Sequence, residues 1–240
     1  GSGRDRVVGV ASVRRGLASL AFVLLAAAPA AAAVPVVLAP YRAVYDLSVD
    51  PARESSDMDV TGRLVTEFTG SPCAGYTTKA RFVTDSTNAD GEHEVTDSRM
   101  SSVETIDGRF DFTNETYTKG ELSDVSEGTA QRAADGRITV KLTKPAVKTV
   151  DISAGSLFPT ESLVRMIEEA RKGTRFIGLD MYDGSENGET PLATAVVIGK
   201  PVEDSARAQI ADGGFEAEAH WPMTISYFSR IDRSDDQPLY

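Results

Sequence analysis

Few residues in this 240-residue chain are of a type and spacing that could do chemistry. His93 lies in Glu92-His93-Glu94 on a polar stretch, and His220 precedes Trp221-Pro222. A hydrolase needs a nucleophile, a neighbouring base and a tight turn such as G-x-S-x-G. Gly184-Ser185-Glu186-Asn187-Gly188 resembles that turn only superficially, because its spacing is wrong. His93 therefore reads as a solvated surface histidine, and His220 as a core or turn residue. Asp180, Asp183, Glu186, Asn187 and Glu189 offer the hard oxygens that calcium prefers, but the alternating D-x-[DN]-x-[DN]-G spacing is missing. A plain hairpin turn is the reading there. One cysteine, Cys73, and two histidines are too few for a transition-metal set, so neither metal nor cofactor is expected. Trp221, Tyr227 and Phe228 could line a lipid groove, although core packing accounts for them as well.

The N-terminus has the build of a secretory signal. Arg4, Arg6, Arg14 and Arg15 precede the apolar run Leu17 to Ala28, which is too short to span a bilayer. Ala31-Ala32-Ala33 satisfies the small-residue rule for cleavage before Val34. The expected organisation is a leader over residues 1–33 and one domain over 34–240, with no stable membrane anchor after cleavage. The leader carries four of the 25 basic and one of the 36 acidic residues, so its removal takes the net charge from −11 to −14. A surface that acidic repels phosphate, which argues against nucleic-acid binding.

The remaining residues must be positioned by short strands. From Tyr41 to Val49 apolar and polar residues alternate, as in a half-buried strand. Similar runs follow at 60–68, 75–85, 94–106, 109–117, 121–133 and 138–142, and after the helix at 175–181, 194–198, 206–210 and 223–231. Asp90-Gly91, Asp107-Gly108 and Asp135-Gly136 punctuate the first set as turns. The pattern predicts a mostly β protein: a single antiparallel meander curling into an open barrel or sandwich. One amphipathic helix stands out over 159–172, with Pro159 and Thr160 at its start and Gly173 at its end. Leu163, Met166, Ile167 and Ala170 recur at helical spacing, which predicts that this stripe packs against the sheet. At the far end, Pro238-Leu239-Tyr240 reads as a strand that has only begun, so the domain is expected to be incomplete at its C-terminus.

Taken together, the exported leader, the early Cys73, the helix entry Phe158-Pro159-Thr160-Glu161 and two later signatures resemble one family. The signatures are Tyr182-Asp183-Gly184-Ser185-Glu186-Asn187-Gly188 and Trp221-Pro222-Met223-Thr224-Ile225-Ser226-Tyr227-Phe228. The chain resembles the EipB-type cell envelope integrity proteins, a periplasmic domain-of-unknown-function family of Gram-negative bacteria. That resemblance implies a spiral-like, open β-barrel with a helix held against it, a role in envelope integrity under stress, and a periplasmic partner of tetratricopeptide-repeat type. It implies no established enzymatic activity. It also implies a disulfide from the early cysteine to a late one, and the late one is absent here. Ser162 stands where the family has His.

Three functions follow as expectations. The first is a non-enzymatic periplasmic protein that maintains the envelope by binding another protein. The second is a lipid or lipoprotein carrier holding acyl chains inside an open barrel. The third, a cell-wall hydrolase, would require paired carboxylates or a metal set, and none stands out among so many acids.

Overall fold

The computed structural model describes residues 35–49, 58–202 and 220–230. The expected leader, the strand at 206–210 and the segment 238–240 lie outside them. Eight antiparallel strands run in simple succession: β1 (Tyr41–Ser48), β2 (Met58–Ser71), β3 (Gly75–Asn88), β4 (His93–Glu104), β5 (Arg109–Thr118), β6 (Glu121–Arg132), β7 (Ile138–Lys144) and β8 (Lys148–Ile152). Helix α1 (Pro159–Arg171) follows, and then a second sheet of β9 (Phe176–Met181), β10 (Leu192–Ile198) and β11 (Met223–Phe228), with β10 in the middle. Among the described residues the fold is thus mostly β, an antiparallel meander that does not close, with one helix. The single sheet expected from the sequence is divided in two by that helix. Strand β8 escaped the sequence reading because five residues with mixed polarity show too little alternation to register.

Side chains directly opposite one another share a face of the sheet, so the strand register shows what that face is made of. One row runs Gly70, Tyr76, Glu104, Phe110, Ala130, Val140 and Val150, and the next Tyr41, Phe68, Thr78, Ser102, Phe112, Gly128 and Leu142. Over β5–β8 this face is sealed: Phe110, Phe112, Ala130, Ile138, Val140, Leu142 and Ile152 form one buried cluster with Phe158 and Tyr182. Towards β1 the same face opens. Tyr45 is 53% exposed, Met100 48% and Leu47 41%. The half-buried strand expected at Tyr41–Val49 is in fact an exposed sheet edge, because the elements that cover β5–β8 do not extend over it.

The helix is also rotated from its expected setting. Ser162, Met166 and Ala170, at i, i+4 and i+8, are buried, while Leu163 is 41% exposed. Met166 and Ala170 pack with Val196 and Ile198 of β10, flanked by Ile177, Leu179, Trp221, Met223 and Ile225. Small Ser162 lies on the contact side because it lets the helix approach closely, and the larger Leu163 is left at the rim. Leu163→Asp should therefore change stability by no more than about half a kcal/mol in a denaturant melt. Among the described residues no helix is long and apolar enough to cross a membrane.

Candidate functional site

Thr160, which the sequence places at the helix start, is not its cap. Instead Phe158 is the capping residue, and its side chain cannot accept a hydrogen bond. Two carboxylates do the work. The Phe158 N–H donates to Glu161 Oε2 at 2.7 Å, and the Thr160 N–H donates to Glu104 Oε2 at 2.9 Å. A residue at the end of β4 thus satisfies the first turn of a helix 56 positions later. Glu104 is only 9% exposed, and burial pushes its carboxyl up to about 7 despite the Thr160 N–H and hydroxyl that hold it down. The neighbouring charge on Glu161 adds to the rise.

Arg132 completes the cluster. It is paired with Glu161, donates to the Ser156 carbonyl at 3.0 Å, and lies 4.8 Å over the Phe158 ring. Phe158 itself is fully buried and stacks on Phe110 at 5.1 Å. Above this floor opens a groove of about 1020 Å³ between the β4–β5 loop and the exposed side of α1. Its walls mix apolar Tyr76, Ile106 and Val164 with the carboxyl of Glu104 and the guanidinium groups of Arg132 and Arg165. Arg165 also reaches Glu169 at 3.4 Å along the helix.

Because the folded state holds the Glu104 proton more tightly than the unfolded chain, this residue's contribution is intact below about 4.5 and is lost as pH rises through about 7. Asp183 shifts the same way through burial. Thermal melts across that window should show stability falling with pH, and Glu104→Gln should flatten the slope without abolishing it.

The first signature is a lid over the large sheet. Tyr182 is fully buried, meets Phe112 edge-on at 5.8 Å, and donates its hydroxyl to the Gly188 carbonyl at 2.8 Å. The Asp183 carboxylate accepts the Ser185 N–H at 2.9 Å, and the Ser126 hydroxyl donates to the Gly184 carbonyl at 2.5 Å. Glu186 accepts the Ser229 hydroxyl at 2.7 Å. The oxygen-bearing side chains are thus spent on turns and cross-links, and among the described residues none form a metal-binding group. The turn is a short 3-10 segment, Glu186–Gly188, with Asn187 left-handed at φ 58°, rather than a plain hairpin.

The second signature forms the edge of the small sheet. Trp221 packs into the helix cluster, and Pro222 accepts the Gly199 N–H at 2.8 Å. Ser226, Tyr227 and Phe228 lie opposite Ala195, Thr194 and Ala193. Tyr227 is half-buried, and burial together with nearby Asp183 raises its phenol. These aromatics pack; they do not line the groove. His93 is exposed, with Nε2 2.7 Å from Asp85. His220 is half-buried, and its backbone carbonyl accepts the Val202 N–H at 2.8 Å. Cys73 is a free, exposed thiol in the β2–β3 turn. Sequence reasoning missed Glu104 and Arg132, since nothing in a strand's local pattern signals a partner on a distant helix.

Three comparisons bear on this geometry. A family model described as EipB-like matches residues 31–240. A Brucella abortus (strain 2308) protein described as cell envelope integrity protein EipB is 39% identical over 216 residues, 89% of this chain and 76% of its own length. The crystal structure of a β-barrel-like protein of domain of unknown function DUF1849 from Brucella abortus superposes with a TM-score of 0.71 at 38% identity, over 86% of this chain and 85% of that one.

Proposed function

The chain belongs to the EipB-like family, and from that premise we propose that it maintains the integrity of the cell envelope as a non-enzymatic periplasmic protein that binds another periplasmic protein. The observation that carries the binding reading is the groove beside α1. It is large, and its floor is built from polar side chains held in place: Arg132 pairs with Glu161, Glu161 accepts the Phe158 N–H, and Glu104 accepts the Thr160 N–H. A preorganised mixed surface of this kind suits a protein partner. The non-enzymatic reading is supported by the way the signature side chains are used. Tyr182, Asp183 and Glu186 each use their side-chain oxygens in bonds within the fold. A partner of tetratricopeptide-repeat type, implied by the family resemblance, is part of the proposal.

Arg165→Glu combined with Glu168→Lys tests it, because both side chains line the groove on the helix's outer side. In a strain deleted for the native gene, the parent chain restores resistance to detergent, and the double variant, melting at the same temperature, fails to. Full complementation by the double variant would sink the groove as the working surface.

A second reading has its own observation. The open inner face over β1–β4, with Tyr45, Leu47 and Met100 half exposed, could take acyl chains. Native mass spectrometry of protein purified from the envelope decides between the two. Bound lipid supports the carrier, and its absence leaves the protein-binding reading alone.

A further inference from the structure

We propose that β1 is a self-pairing edge: two copies of this chain associate by laying their β1 strands antiparallel, joining two eight-stranded sheets across a two-fold axis. This does not depend on the groove or on its partner.

Three observations point to it. Among the described residues β1 pairs only with β2, and none of them takes up the backbone donors and acceptors on its other side. All eight residues except Ala43 are exposed, including Tyr41, Val44, Tyr45 and Leu47. Pro40, which has no N–H, bounds the pairing segment at its start.

The strand is also self-complementary. In an antiparallel pair, opposed residues lie on the same face and share the same hydrogen-bonding status. A strand paired with its own copy must therefore be centred on a residue, so that odd positions meet odd and even meet even. Three centrings use most of Tyr41–Ser48. Centring on Ala43 sets Arg42 against Val44, and centring on Tyr45 sets Asp46 against Val44. Centring on Val44 instead places Arg42 opposite Asp46 of the second copy, twice by symmetry, with Val44 meeting Val44 between them. On the other face it sets Tyr41 against Leu47 and Ala43 against Tyr45. One register thus matches charge with charge and apolar with apolar along the whole strand, as an isologous interface requires. Within one copy Asp46 is already bonded to Arg63 at 2.6 Å, and Arg42 lies across from Glu67 of β2. Each cross-copy pair therefore joins an existing run of alternating charge. The open apolar face of β1–β3 would also continue from one copy into the next.

Size-exclusion chromatography with light scattering tests this over a concentration series, under reducing conditions because Cys73 is an exposed thiol. The parent chain should rise from the mass of one chain to that of two. Arg42→Asp and Asp46→Arg each set like charges opposite one another and should stay at one chain. An equimolar mixture of the two variants restores opposite pairs and should recover the mass of two. Val44→Glu and Val44→Lys, altering another exposed side chain, should behave alike: single alone, double when mixed. The proposal is overturned by a parent chain of single mass throughout, by variants that pair as the parent does, or by mixtures that stay single.

Discussion

Gly184→Val should lower the melting temperature by roughly 10 °C, one of the two largest effects expected of a single change in this chain. Gly184 has φ +79°, a conformation that a β-branched residue adopts only under strain of about 1–3 kcal/mol. A Cβ there would lie 2.2 Å from Phe112 Cδ2, deep inside van der Waals contact. The ring cannot swing away. Tyr182 meets it edge-on, Phe110 stacks on it at 5.6 Å, and Gly128 and Gly188 back against its far end. Overpacking of this kind adds a further ~1–3 kcal/mol. At about 2–4 °C per kcal/mol for a domain of this size, the sum gives the stated shift. A melt within two or three degrees of the parent would mean that the Tyr182–Gly188 turn does not sit on Phe112.

Phe158→Ala should cost about 3–5 kcal/mol, the usual range for emptying a phenylalanine site in a core. The ring is fully buried, stacks on Phe110 and carries Arg132 on its other face. Its loss opens a cavity at the point where the helix meets the large sheet. Phe158→Leu keeps most of the volume and should cost well under half as much. Denaturant midpoints at equal slope measure both, and equal costs for the two would show that Arg132 and the aromatic stack, rather than volume, set the stability there.

The parts of this architecture written in local signals were legible in the sequence. Asp107-Gly108 and Asp135-Gly136 announced turns, and the alternation of β2–β6 announced strands. The helix ends were marked by Pro159 and Gly173 to within one residue. The helix face was not legible, because periodicity counts apolar residues. The contact here admits Ser162 and Thr160 for their size and sheds Leu163. The exposure of β1 was hidden for a similar reason: alternation reveals which side chains share a face, not whether anything lies over it. The role of the Tyr182–Gly188 signature depends on Phe112 and Ser126, some 58–70 positions earlier, and that of Glu104 on Thr160, 56 positions later. Such contacts leave no trace in a window of ten or fifteen residues. The signature could be recognised as belonging to a family but not read as a lid.

The order of the large sheet has a consequence for how it assembles. Every pairing from β1 to β8 joins neighbours in the chain, so each strand can be added as a hairpin, with only a short loop to close at each step. A topology of this kind has low contact order for a β protein and should fold quickly for its class. The sealing clusters are unevenly placed, however, all at the β5–β8 end. That end should nucleate, and zippering should run from it back towards β1, whose bonds form last and open first. Amide exchange would then be slowest at Phe110, Ala130 and Val140 and fastest along Tyr41–Ser48, with opening free energies falling strand by strand between them.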